Sequence, residues 1–253
     1  MRYLLLPILS AAGTAVALAP TSLAAVDRPL TVERVAVLPA EGVGLRAGGR
    51  YGIGREAAAG LAYDNARIGP LGARFGLGDR VEVGGHLSAD INMADDTGAP
   101  DETGLDGLTV YGKIAANDFL AITAGLTAGG ANDVGPVPND GLDFFVNIPM
   151  QRPLGAGRVY GELGMRVQDD AIGGTFLNYG LGYSIPVAEQ FAVTGELVGK
   201  ESNIRFRDGN TMSLQLGGNF PPEPTIDVAP YLGRGVFDAA PTVSLGAAFE
   251  MRL

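Results

Sequence analysis

Cysteine is absent from the 253 residues, which removes disulfides and thiolate chemistry from consideration. Histidine occurs once, at His86. Basic residues are scarce: 18 Lys and Arg stand against 28 Asp and Glu, a formal charge of −10. Affinity for nucleic acid comes largely from neutralising phosphates, so such a chain is a poor nucleic-acid binder. Beyond residue 25, no stretch approaches the roughly 18 apolar residues that a membrane helix requires. A hydrophobic fraction of 46% must then be spread over strands.

The first 25 residues read as a secretory leader. Arg2 supplies a short positive start, Tyr3 to Leu18 is apolar, and small residues gather at Ser22, Ala24 and Ala25. Cleavage is expected after Ala24 or Ala25. The alternative, a membrane-anchoring helix, is opposed by Pro7 and Pro20 and by the short apolar run. Removing the leader removes one Arg and brings the charge to −11. Residues 26–42 show no clear period and are expected to form a short periplasmic lead.

The rest, 43–253, alternates. From Thr242 to Leu253, Val243, Leu245, Ala247, Phe249, Met251 and Leu253 share one face, with Ser244, Glu250 and Arg252 on the other. Successive side chains of a strand point to opposite faces, so this is a ribbon with one apolar and one polar side. Segments of about ten residues with this dyad mark a transmembrane β-barrel. Twelve are expected, at about 43–53, 68–77, 80–91, 105–116, 119–128, 141–150, 157–168, 174–185, 190–200, 210–220, 225–234 and 242–253. Connections after the even-numbered strands are short and most of the others are long, which suggests periplasmic turns and extracellular loops. Phe75, Phe119, Tyr183, Phe191, Phe220 and Phe249 fall near the turn ends, where an aromatic girdle would sit. A soluble all-β domain would alternate too, with its apolar face inward.

With the apolar face turned to lipid, the polar face becomes a lumen. It would carry Arg46, Arg50, Arg74, Lys113, Arg158, Arg166, Lys200 and Arg252 against Glu82, Asp90, Asp143, Glu162, Glu196, Asp227 and Glu250. Eight against seven nearly cancels, whereas a strongly selective pore favours a ring of one sign. Twelve strands lie between barrels filled by side chains and open porins, so openness is undecided. His86, Ser88 and Asp90 share a strand face, a nucleophile–base–acid set by residue type. Neighbours two apart on a strand are about 6.5–7 Å distant, so a lumen hydrogen-bonding histidine is the better reading. No enzyme activity, cofactor or metal site is expected. The acidic loop residues Asp95, Asp96, Asp101, Glu102, Asp106, Asp133, Asp140, Asp169 and Asp170 lack the ligand order of a calcium loop. They could bridge through cations to lipopolysaccharide or simply be solvated.

Two stretches carry a resemblance. Ala73 to Asn92, ARFGLGDRVEVGGHLSADIN, and Leu177 to Glu196, LNYGLGYSIPVAEQFAVTGE, resemble hairpins of the outer-membrane transporter family of the phenol-degradation meta-pathway type. The terminal VSLGAAFEMRL resembles that family's closing strand. Arg74, Gly76, Leu77, Asp79, Arg80, Glu82 and Gly84 carry the first match. The resemblance implies an outer-membrane barrel of a Gram-negative bacterium that passes small, often aromatic or hydrophobic, solutes. Its implied partners are outer-membrane lipids, lipopolysaccharide and the barrel-assembly machinery. One departure is the last residue, Leu253, where such barrels usually end in Phe. The remaining alternatives are a closed barrel acting through its surface loops and a lipid-modifying enzyme.

Overall fold

The computed structural model describes residues 30–56, 62–94, 102–129, 141–168, 174–202, 210–236 and 240–253. The leader residues 1–25 and the loop aspartates Asp95, Asp96, Asp101, Asp133, Asp140, Asp169 and Asp170 lie outside them, as do the side chains of Glu102 and Asp106.

Twelve strands follow in order: β1 (Val43–Glu56), β2 (Ala62–Gly76), β3 (Val81–Ala94), β4 (Glu102–Asn117), β5 (Leu120–Ala128), β6 (Leu142–Leu154), β7 (Gly157–Gln168), β8 (Gly174–Ala188), β9 (Phe191–Ser202), β10 (Thr211–Glu223), β11 (Ile226–Gly235) and β12 (Val243–Arg252). Each pairs antiparallel with its sequence neighbours, and β1 pairs with β12 from Gly44↔Arg252 to Ile53↔Val243. Closure satisfies every ladder and leaves no open edge, a condition for crossing lipid with strands. The register climbs as it runs round the wall. The row Glu82, Lys113, Thr123, Asn147 starts near the short turns and continues through Gly164 and Asn178 to Lys200, near the long loops. That climb is strand tilt.

Burial is inverted relative to a soluble domain. Leu108, Leu163, Leu181, Leu216 and Leu232 are exposed, whereas Thr109, Thr123, Ser184, Thr194 and Asn219 are buried inside. A soluble all-β protein would bury the leucines. An apolar belt this extensive needs a nonaqueous neighbour.

Glycines inside the wall make room for tyrosines. Gly84 lies opposite Tyr111, Gly182 opposite Tyr160 and Gly246 opposite Tyr231. A Cβ on Gly84 would sit 2.5 Å from the Tyr111 ring, so each ring lies across a position that has no side chain.

β2 begins six residues before its expected start. Tyr63, Asp64 and Asn65 are polar on both faces, so alternation does not reveal this part of the strand. A register shift between Ile68 and Leu71 then resets the phase at Gly69, whose φ is +125°. Period two counted back from the buried Arg74 would point Ile68 inward. Ile68 is instead exposed, and Arg67 takes the inner face.

The largest difference lies before β1. Residues 30–38 are not a periplasmic lead: they run inside the barrel, with Leu30, Val32, Val35 and Leu38 buried. A chain without sheet partners must still satisfy its N–H groups, and here the inner wall supplies the acceptors.

Candidate functional site: the barrel lumen

The segment 30–38 forms a strap across the turn-side half of the lumen. Leu38 N donates to Glu82 Oε2 at 2.9 Å. The Arg34 guanidinium donates to Glu250 at 2.6 Å, and Lys113 Nζ donates to the Arg34 carbonyl. Glu33 N donates to Glu162 at 2.7 Å. The Glu33 carboxylate accepts from Thr123 Oγ1 and Asn147 Nδ2 and pairs with Lys113 at 3.2 Å. Farther round, Glu196 accepts from Leu30 N at 2.5 Å, Thr31 N at 2.9 Å, Thr31 Oγ1 at 2.7 Å and Val32 N at 3.3 Å. Tyr160 Oη completes that cradle at 2.7 Å. The Leu30 side chain packs on Ala229 and Tyr231.

All four inward glutamates expected from the sequence therefore meet the strap. Two of them also hold a buried ion network. Arg74 pairs with Glu82 at 3.1 Å and with Glu250, which Arg34 shares. Near the turns, Arg252 pairs with Asp227 at 3.0 Å, and Arg158 stands opposite Ser184 in the β7–β8 register.

The loop-side half has a different character. Arg67 pairs with Asp90 through two hydrogen bonds at 2.6 and 2.9 Å. Arg50 lies directly opposite Arg67 in the register and donates to Asn65. Between the two halves Arg46, opposite Glu250 in the β1–β12 register, meets His86 Nδ1 and lies 5.4 Å over the Tyr111 ring. Arg166 lies 5.8 Å over Phe145 and 3.9 Å from Asp143, and Lys200 lies 3.9 Å over Phe176. The near balance read from the sequence therefore holds on the turn side, where the glutamates meet the strap, Arg74 and Lys113, whereas the loop side carries an excess of basic residues, Arg166 and Lys200 among them lying over aromatic rings.

The His86, Ser88 and Asp90 set does not come together. His86 engages Arg46 and Asp90 engages Arg67. Among the described residues no hydrogen bond joins Ser88 to either, and no group of carboxylates and imidazole is arranged to hold a metal.

Sequence reasoning passed over Glu33 and Arg34, which lie in a segment without period, and Arg67, which is hidden by the bulge. Tyr111 fell on the lumen face of its strand but carried no charge to single it out. The presence of three basic residues on rings was legible only once the register was known.

No protein-family model and no curated protein matches the chain. Solved structures do match. The COG4313 outer membrane channel from Pseudomonas putida F1 aligns over 87% of this chain and 98% of that one, with a TM-score of 0.65 at 14% identity. The translocator domain of the autotransporter NalP from Neisseria meningitidis aligns over 86% and 90%, with a TM-score of 0.55 at 10% identity. At these identities the likeness is one of fold. It agrees with the apolar outer belt and the closed ladder: the chain has the fold of a twelve-stranded outer-membrane β-barrel.

Proposed function

We propose that the protein is a passive outer-membrane channel for small solutes, narrowed on the turn side by its own N-terminal strap. The observation that carries this is a lumen walled by charged and hydroxyl side chains, where a purely structural barrel could be packed with apolar ones. Partly exposed arginines on the loop side are groups that a hydrated solute can meet, and the half-buried rings of Tyr111 and Phe145 are groups for an aromatic one. Export by a leader over 1–25, insertion by the barrel-assembly machinery and contact with lipopolysaccharide belong to the same reading.

A second reading, a closed barrel acting through its surface, draws on the strap, whose polar groups are well satisfied in place. Single-channel recording of the refolded protein in a planar bilayer separates the two. Reproducible conductance steps are expected from the channel. Silence from protein shown to be folded by heat-shifted gel mobility would refute the channel and favour the closed barrel.

A further inference from the structure

The strap changes which lumen charges water can reach. The groups it covers are of both signs: Glu82, Glu196 and Glu250 are at most 3% exposed, and Lys113 and Arg74 are 2% and 6% exposed. The groups it leaves uncovered on the loop side are mainly basic. The Arg67 and Arg166 side chains retain 39% and 32% exposure, while their partners Asp90 and Asp143 retain 14% and 0%. Arg46 lies lower in the wall, opposite Glu250, and meets an imidazole and a phenol ring. Arg50 and Arg67 face each other across the β1–β2 ladder. Asp90, opposite Arg67 in the β2–β3 register and paired with it, supplies one negative charge to the two arginines.

We infer that the strap sets the channel's ion selectivity. Seated, it hides the glutamate wall and leaves a passage lined by arginine and lysine that favours small anions, carboxylates in particular. Withdrawn, it takes away Glu33 together with Arg34 and exposes Glu82, Glu162, Glu196 and Glu250 along with Arg74 and Lys113, so the accessible charge comes close to balance and the anion preference is lost. Charged side chains lining a pore select the opposite charge, and low salt preserves their reach. This inference rests on the channel reading above.

The absence of cysteine makes the strap lockable. Val32 Cγ2 lies 2.6 Å from where a Cβ on Gly180 would stand, so a Val32→Cys, Gly180→Cys pair has its β-carbons within disulfide reach. Three full-length barrels are compared by reversal potential in a potassium chloride gradient: wild type, a deletion of 30–40, and the oxidised double-cysteine variant. Chloride preference is expected in the wild type and the locked barrel. The deletion is expected to raise conductance severalfold and bring the permeability ratio close to unity. If the deletion does not fold, the reduced double-cysteine barrel with Glu196→Ala, which loosens the strap, should show the same shift that oxidation reverses. Conduction with the same selectivity in every form overturns the inference and leaves the channel standing. Conduction in none overturns both.

Discussion

Replacing Arg74 with Met tests whether the buried network, rather than general packing, secures the turn-side half. Arg74 is the cation between Glu82 and Glu250, and its side chain is 5% exposed. After Arg74→Met, Glu250 keeps Arg34, whereas Glu82 keeps only the Leu38 amide and a 3.4 Å contact from Tyr111 Oη. Glu82 thus becomes a buried charge without a counter-ion, and breaking a buried pair from one side costs about 3–5 kcal/mol. With a urea slope of about 3 kcal/mol per M, suited to a chain at the large end of small proteins, the unfolding midpoint falls by about 1–2 M. Urea titration of the refolded barrel, read by heat-shifted gel mobility, measures this. Arg74→Met with Glu82→Leu removes the orphaned charge along with its partner, so the double variant should recover part of the loss. A single variant within about 1 kcal/mol of wild type, or a double variant whose losses simply add, would refute the network as an energetic unit.

Three other outcomes follow from the wall. Gly84→Ala drives a methyl into the Tyr111 ring and is expected to cost about 1–3 kcal/mol in the same titration, whereas Gly112→Ala, with nothing within 4 Å of its new Cβ, should be neutral or better. Equal effects at the two positions would contradict the ring-over-glycine packing. Leu87→Arg places a charge on an exposed mid-strand position and should cost about 2–4 kcal/mol in vesicles if that face meets lipid near the midplane. Tyr160→Phe deletes one donor to Glu196 and should speed protease cleavage within the strap while leaving strand pairing intact; an unchanged cleavage rate would mean the cradle does not hold the strap.

The strands were legible because both faces of each one have a definite solvent. Where lipid lies on one side and polar lumen on the other, alternation survives into the sequence, as from Val243 to Arg252. It fails where both sides are wet, as at Tyr63 to Asn65, and where a bulge shifts the phase, as at Gly69. The inward charges could be named from period two alone, but their heights could not. Tilt sets Glu82 near the turns on the same row as Lys200 near the loops, so adding charges over the whole lumen hides the basic excess of the loop side.

The strap was illegible for a different reason. Its buried residues Leu30, Val32, Val35 and Leu38 are spaced two, three and three apart, which matches neither strand nor helix. No ladder imposes a period, because its amides are answered by side chains on β3, β7 and β9 that lie up to 166 residues away. The trace it leaves lies in the wall. Glu196 is fully buried, yet its donors among the described residues are three strap amides, a strap hydroxyl and Tyr160 Oη, none of them a cation. A carboxylate in that position has a large desolvation cost unless amides are delivered to it. Glutamates that face a lumen without a matching ring of lysine or arginine at their own height are therefore the signal to seek, and the unperiodic segment before the first strand is the chain free to answer them.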